Sequence, residues 1–252
     1  MKWDGWTREQ LIEAIKLYCV TPFGRLHKGN PDIVTLAARL GRTPSALAYK
    51  LTNFAALDTS IPQKGMSNYS KLDAAVWQDF FRDPAEFLAA AEAPIRHLHD
   101  EAAEYHMQPE GRDVAVQSFA RRGQDFFRAM VLASYGNRCA LSGIDAPDLL
   151  VASHILPWAD TPAERTNPRN GLLLNRLHDR AFENGHLVIE NDLRVTFSPR
   201  LSPVTREKLE RTARTHLRLP DRFAPDPAFL QQHREIWMAR WGSPQPQPFR
   251  AS

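Results

Sequence analysis

Apolar side chains recur every three or four positions through much of the chain, the spacing of one buried helix face. In the first sixty residues this spacing predicts three helices. LIEAIKLY follows Thr7, which with Gln10 forms a capping box. Two shorter helices flank Gly41-Arg42-Thr43, one striped by Ile33, Leu36, Ala37 and Leu40, the other by Leu47, Leu51 and Phe54. Thr43 is the predicted N-cap of the second, with Pro44 at its first position. Val76, Trp77, Phe80 and Phe81 make a further apolar face before a break at Asp83-Pro84. Phe126, Phe127, Met130 and Val131 make another on a helix running towards Cys139.

The pattern then changes. Leu149, Leu150, Val151, Ile155 and Leu156 form a short apolar run between Pro147 and Pro157, which predicts a buried strand. Cys139, Ala140 and Leu141 are its expected antiparallel partner. Leu173, Leu177 and Ala181, four apart, predict a helix over LLLNRLHDRAF, stopped by Asn184 and Gly185. HLVIENDLRVTFS alternates and predicts a hairpin turning at Glu190-Asn191-Asp192. A Lys/Arg-rich helix from Pro203 to about Leu217 and a closing helix anchored by Trp237 and Trp241 complete the order. The expected class is an α-rich α+β protein. Its expected parts are a helical region at 1–92, a linker at 93–117, a mixed region at 118–241 and a Pro/Gln-rich tail at 242–252.

Composition narrows the field little. The 252 residues, 43% hydrophobic and 24% charged, suit a soluble globular protein. The net charge of +3 is compatible with a polyanionic partner, and its distribution is more informative. Seven Lys/Arg face two acids between Arg194 and Arg218. The two cysteines, Cys19 and Cys139, provide neither a disulfide framework nor a structural zinc knuckle, which fits a reducing cytoplasm. Neither a signal pattern nor a run near the ~20 apolar residues of a membrane span is expected.

The candidate chemistry lies between Cys139 and Gly185. His154 ends the apolar run, Asn170 follows after a polar loop, and His178 and Asp179 lie on the expected helix. A histidine titrates near neutrality and can take a proton from water, and carboxylates can hold a hard cation. The segments SHILPW, NPRNGLLLN and LHDRAFENG resemble the HNH endonucleases with their ββα-metal finger, in the restriction-like branch. The likeness extends from about Arg121 to Pro203. It implies a DNA endonuclease in which His154 is the general base and Asn170 fixes its loop. One divalent cation, Mg²⁺ or else Mn²⁺ or another transition metal, would be held by Asp179 with Glu183 or His178, and His178 is also a catalytic candidate. Ser153 departs from the pattern, standing where an Asp or His ligand is common.

Double-stranded DNA is then the expected partner. The helix pair around Gly41 has a helix-turn-helix pattern, whose second helix can enter a major groove. Arg42, Ser45, Tyr49 and Lys50 are its exposed candidates, and no acid occurs from Arg39 to Phe54. GRTPSALAYKLTNF also resembles the amino-terminal segment attached to this HNH branch. Arg121, Arg122 and Arg128 are candidate phosphate contacts. A symmetrical double-strand cut would call for a homodimer. His97, His99 and His106 lack a further positioned ligand and are not assigned to a metal. The rivals are a DNA-binding regulator with an inactive HNH fold and a protein-interaction module.

Overall fold

The computed structural model describes residues 5–60, 68–82, 84, 87, 113–157, 161 and 164–242, for residues 113–122 the backbone only. The helices are α1 (Arg8–Val20), α2 (Pro31–Arg39), α3 (Pro44–Leu57), α4 (Lys71–Arg82) and α5 (Asp113–Ser134). Then come β1 (Leu150–His154), β2 (Gly171–Asn175), α6 (Arg176–Glu183), β3 (Leu187–Ile189), β4 (Val195–Phe197), α7 (Pro203–Thr212) and α8 (Pro227–Gly242). Among the described residues the fold is helix-rich with two small antiparallel sheets. No helix of the described residues is long and apolar enough to cross a membrane. The Asp83 break, the stretch 93–112 with its three histidines, and the tail from 243 lie outside the described residues.

Local signals set the helix starts. The Thr7–Gln10 capping box forms in both directions, and Asn30 and Thr43 cap α2 and α3 ahead of Pro31 and Pro44. The predicted stripes turn inward: Ile33, Leu36, Ala37, Leu47, Leu51, Phe54, Val76, Trp77 and Phe80 are buried. The core they enter also receives the carboxyl-terminal half. Phe223 stacks on Trp77 at 6.0 Å and meets Tyr18 edge-on at 6.1 Å. Beside it, the buried Arg222 donates to the carbonyls of Tyr18 and Thr21. Asp58 accepts from Phe223 N (2.7 Å) and Ser60 from Ala224 N (2.9 Å). The helical region and the mixed region therefore share one continuous core.

Two expectations are corrected in the mixed region. The partner of β1 is Gly171–Asn175, paired from Leu150↔Asn175 to His154↔Gly171, while Cys139–Leu141 lies in turn structure before β1. The expected helix accordingly begins only at Arg176. Leu172, Leu173 and Leu174 are all fully buried, so β2 is covered on both faces and does not alternate. Leu177, read as part of the buried stripe, is 53% exposed. The start of α6 is dictated by Asn175, whose Oδ1 accepts from His178 N at 2.9 Å. Its end is the expected one: Gly185 adopts φ +65°, and His186 N and Gly185 N bond back to Ala181 and Phe182 carbonyls. The hairpin forms as β3 and β4, whereas α7 stops at Thr212, five residues short of the expected end.

Candidate active site

β1, β2 and α6 form a strand-strand-helix unit against α5, and the candidate residues divide between its two sides. His154, at the end of β1, faces α5, where its ring stacks on Phe127 with centroids 4.0 Å apart and planes 10° from parallel. The stack requires Gly171 opposite His154. A Cβ on Gly171 would lie 2.5 Å from Val131 Cγ2 and 3.0 Å from Phe127 Cζ. His154 Nε2 is 2.9 Å from the Arg165 carbonyl. A carbonyl only accepts, so this contact assigns the proton to Nε2 and, in the neutral ring, leaves the lone pair on Nδ1. Burial lowers the His154 pKa and outweighs the Arg165 hydrogen bond, which favours the charged form.

Asn170 is fully buried and ties together the loop that follows His154. Its Oδ1 accepts from Leu156 N at 2.9 Å, and its Nδ2 donates to Glu164 O at 3.2 Å and Leu156 O at 3.4 Å. Its own carbonyl accepts from Ile155 N at 2.9 Å, directly after His154. The carboxamide thus joins both ends of the loop with backbone hydrogen bonds that a smaller side chain cannot make.

The helix residues separate by face. Asp179 is half-buried, and the side chain of Ser153, the neighbour of His154, acts on it. Burial raises its pKa and the charge of Glu183 raises it further; the Ser153 side chain, Arg180 and Arg176 oppose this. Glu183 is exposed and pairs with Arg180 at 2.6 Å. His178 points the other way and is fully buried. Thr212 Oγ1 lies 3.1 Å from the Lys208 and Leu209 carbonyls, to which its hydroxyl donates, so it accepts from His178 Nε2 at 3.2 Å. His178 Nδ1 lies 3.2 Å from Asn175 Nδ2 and 3.8 Å from Cys139 Sγ. Both ring nitrogens of His178, expected as catalyst or metal ligand, have their partners inside the fold. Among the described residues no group of three or more His, Cys, Asp or Glu is placed to hold a metal.

A cleft of about 310 Å³ runs along β1, lined by Gln124, Phe127, Arg128, Val151, Ala152 and His154. Arg128, expected from sequence, is here. Its guanidinium donates to Leu150 O (2.9 Å) and Pro147 O (3.4 Å). The side chains of Arg121 and Arg122 lie outside those described. Sequence reasoning passed over Phe127 as a site residue and Arg176 altogether. The first was visible only as core, and the second stood inside a helix whose start had been misplaced.

The amino-terminal candidates are also unequal. Ser45 and Tyr49 are exposed, and the Tyr49 hydroxyl accepts from Asn68 at 3.1 Å. Arg42 donates to Gly5 O (2.7 Å) and Gln10 Oε1 (2.8 Å) and sits 5.0 Å over the Trp6 ring. The expected exposure of Lys50 is corrected: it is buried, with Nζ 2.8 Å from Asp73. A lysine at this depth needs its carboxylate partner. On α7, Arg206 and Arg211 are each 3.6 Å from Glu210 and Glu207, so the basic stretch is partly neutralised in place.

A search of curated proteins found no match to this chain. The sequence model of a family described as HNH endonuclease matches residues 139–190, the span from Cys139 through β1, β2 and α6 to the end of β3. The paired strands, the following helix and the histidine at the strand end all fall within it. Over this stretch the chain is similar to the HNH endonuclease family.

Proposed function

We propose that the protein is a metal-dependent DNA endonuclease of restriction or defence type, with His154 as general base. The observation that carries this is the 2.9 Å contact from His154 Nε2 to the Arg165 carbonyl. It favours the tautomer with its lone pair on Nδ1, and burial favours the neutral ring. Nδ1 takes a proton from water, the water oxygen attacks phosphorus, and the bond from phosphorus to the leaving oxygen breaks. Asn170 keeps the loop after the base in place, and Phe127 fixes the ring plane.

Asp179 and Glu183 would hold the cation. Their fit rests on the raised Asp179 pKa: a half-buried carboxylate beside a like charge is relieved by a positive ion. Two carboxylates suffice for a Mg²⁺-like ion that also takes substrate oxygens and water. Such an ion, when bound, stabilises charge on the phosphate and on the departing oxygen. Arg121, Arg122 and Arg128 would contact backbone phosphates. Arg42, Ser45 and Tyr49, on the helix-turn-helix-like pair within 1–92, would face the bases, with a homodimer for a symmetrical cut.

One observation favours a second reading, a DNA-binding regulator with an inactive nuclease fold. Ser153 stands where the resemblance places an Asp or His ligand. Plasmid DNA incubated with the protein separates the two. The endonuclease converts supercoiled DNA to nicked or linear forms with Mg²⁺ or Mn²⁺ and stops with chelator. The regulator binds the plasmid and leaves it intact under every metal.

A further inference from the structure

The start of β1 is held by two arginines that carry more charge than the structure neutralises. Arg128, from α5, donates to the carbonyls of Pro147 and Leu150. Arg176, the first residue of α6, donates from Nε to the carbonyl of Asp148 at 3.1 Å. One short turn, 147–150, therefore draws in two guanidiniums from different helices. They are close enough to repel: after burial, Arg176 is the main cause that lowers the Arg128 pKa. Asp125 acts on Arg128, and Asp179 feels Arg176, yet neither arginine has a carboxylate oxygen within 4 Å among the described residues.

Backbone carbonyls orient these groups without cancelling their charge. Each guanidinium has five N–H donors, and the hydrogen bonds named occupy two on Arg128 and one on Arg176. The remaining donors match a tetrahedral anion, which takes forked contacts from arginine. Arg176 is exposed and Arg128 half-buried, so an anion can arrive from solvent. Arg128 of this pair lines the same cleft as the base, together with Val151 and Ala152. Four residue steps along a strand span roughly 13 Å, a few nucleotides of DNA backbone.

We propose that Arg128 and Arg176 form a clamp for one DNA backbone phosphate lying a few nucleotides from the bond that is cut. The proposal rests on the nuclease reading for its ligand, while the anion site itself stands on the arginine geometry. The clamp sets the register of the strand along β1 and leaves the chemistry to His154, so both arginines are positioning residues.

The test measures binding of a short duplex by fluorescence anisotropy, in chelator, over a salt series. One lost phosphate contact reduces the slope of log K against log salt by about 0.9. Arg176→Gln is expected to show this reduction, equivalent to roughly a fourfold smaller affinity loss between about 50 and 200 mM salt. Arg128→Gln/Arg176→Gln is expected to show the same reduction and no more, because the pair shares one phosphate. Titration with inorganic phosphate, followed by NMR on the arginine Nε–H signals, is expected to shift both residues saturably. In Arg176→Gln the Arg128 signal should stop responding. An unchanged salt slope in Arg176→Gln, in a protein that binds and cuts DNA, overturns the clamp and leaves the nuclease reading intact. A protein that never retains DNA defeats the nuclease reading, and the phosphate titration then decides the clamp: no saturable shift in the wild type overturns it.

Discussion

Replacing Asn170 with alanine removes one carboxamide and three hydrogen bonds from the loop behind the base. The most costly loss is at Leu156, whose buried amide donates to Asn170 Oδ1 at 2.9 Å. Leaving such a donor unpaired costs about 1–3 kcal/mol. The Glu164 carbonyl, 3.2 Å from Nδ2, is in a partly buried contact and can recover water, so it contributes less. With the small void left by the side chain, the total comes to about 2–3 kcal/mol, or a fall of roughly 4–12 °C in Tm for a chain of this size. Thermal unfolding gives the first number, and hydrogen exchange at the Leu156 amide gives the local one. We expect that amide to exchange faster than its neighbours on β1, and cleavage to fall further than the lost folded fraction explains. Asn170→Asp should be worse, because it sets a carboxylate against the Leu156 and Glu164 carbonyls. A Tm within about 1 °C of wild type, with unchanged protection at Leu156, refutes the assigned role of Asn170.

Three further outcomes follow from the same geometry. Gly171→Ala places a methyl 2.5 Å from Val131 and should cost about 1–3 kcal/mol; Val131→Ala in the same chain should restore part of it, and denaturant titration reads both. Burial lowers the His154 pKa, so the neutral ring stabilises the fold above the ordinary value of 6.5 and that contribution fades as pH falls through the lower folded value. The acid limb of the cleavage rate should lie below 6.5, and a limb above it in a pH–rate profile contradicts the assignment. Asp179 has a raised pKa, so its stabilising contribution is present below the ordinary carboxylate value and lost as pH rises through the folded one. Asp179→Asn should therefore unfold no earlier than wild type near pH 8 while losing metal-dependent cleavage.

The amino-terminal helices were legible because their starts are written locally: Thr7 with Gln10, Asn30 before Pro31, Thr43 before Pro44. The closing hairpin was legible because its residues alternate. Leu172 to Leu174 failed as a signal, since three consecutive buried leucines fit a strand covered on both faces and a helix interior alike. The deciding residue was Asn175, an N-cap hidden in the middle of the apparent helix. His178 was expected because it stands in the LHDRAFENG motif, while Arg176, at the actual helix start, belongs to no motif. Charge was read from composition, where a lysine looks exposed by default; Lys50 is buried because Asp73, twenty-three residues later, folds against it. Arg222 stood in a Pro-marked loop, and only tertiary structure carries it to the end of α1.

The most direct test of the account is supercoiled-plasmid cleavage by His154→Ala beside the wild type, with Mg²⁺ or Mn²⁺, on methylated and unmethylated DNA. The variant should cut at least about 100-fold more slowly and bind the same DNA with unchanged affinity. Cleavage by His154→Ala at the wild-type rate would show that this imidazole is not the base, and the proposed mechanism would be wrong.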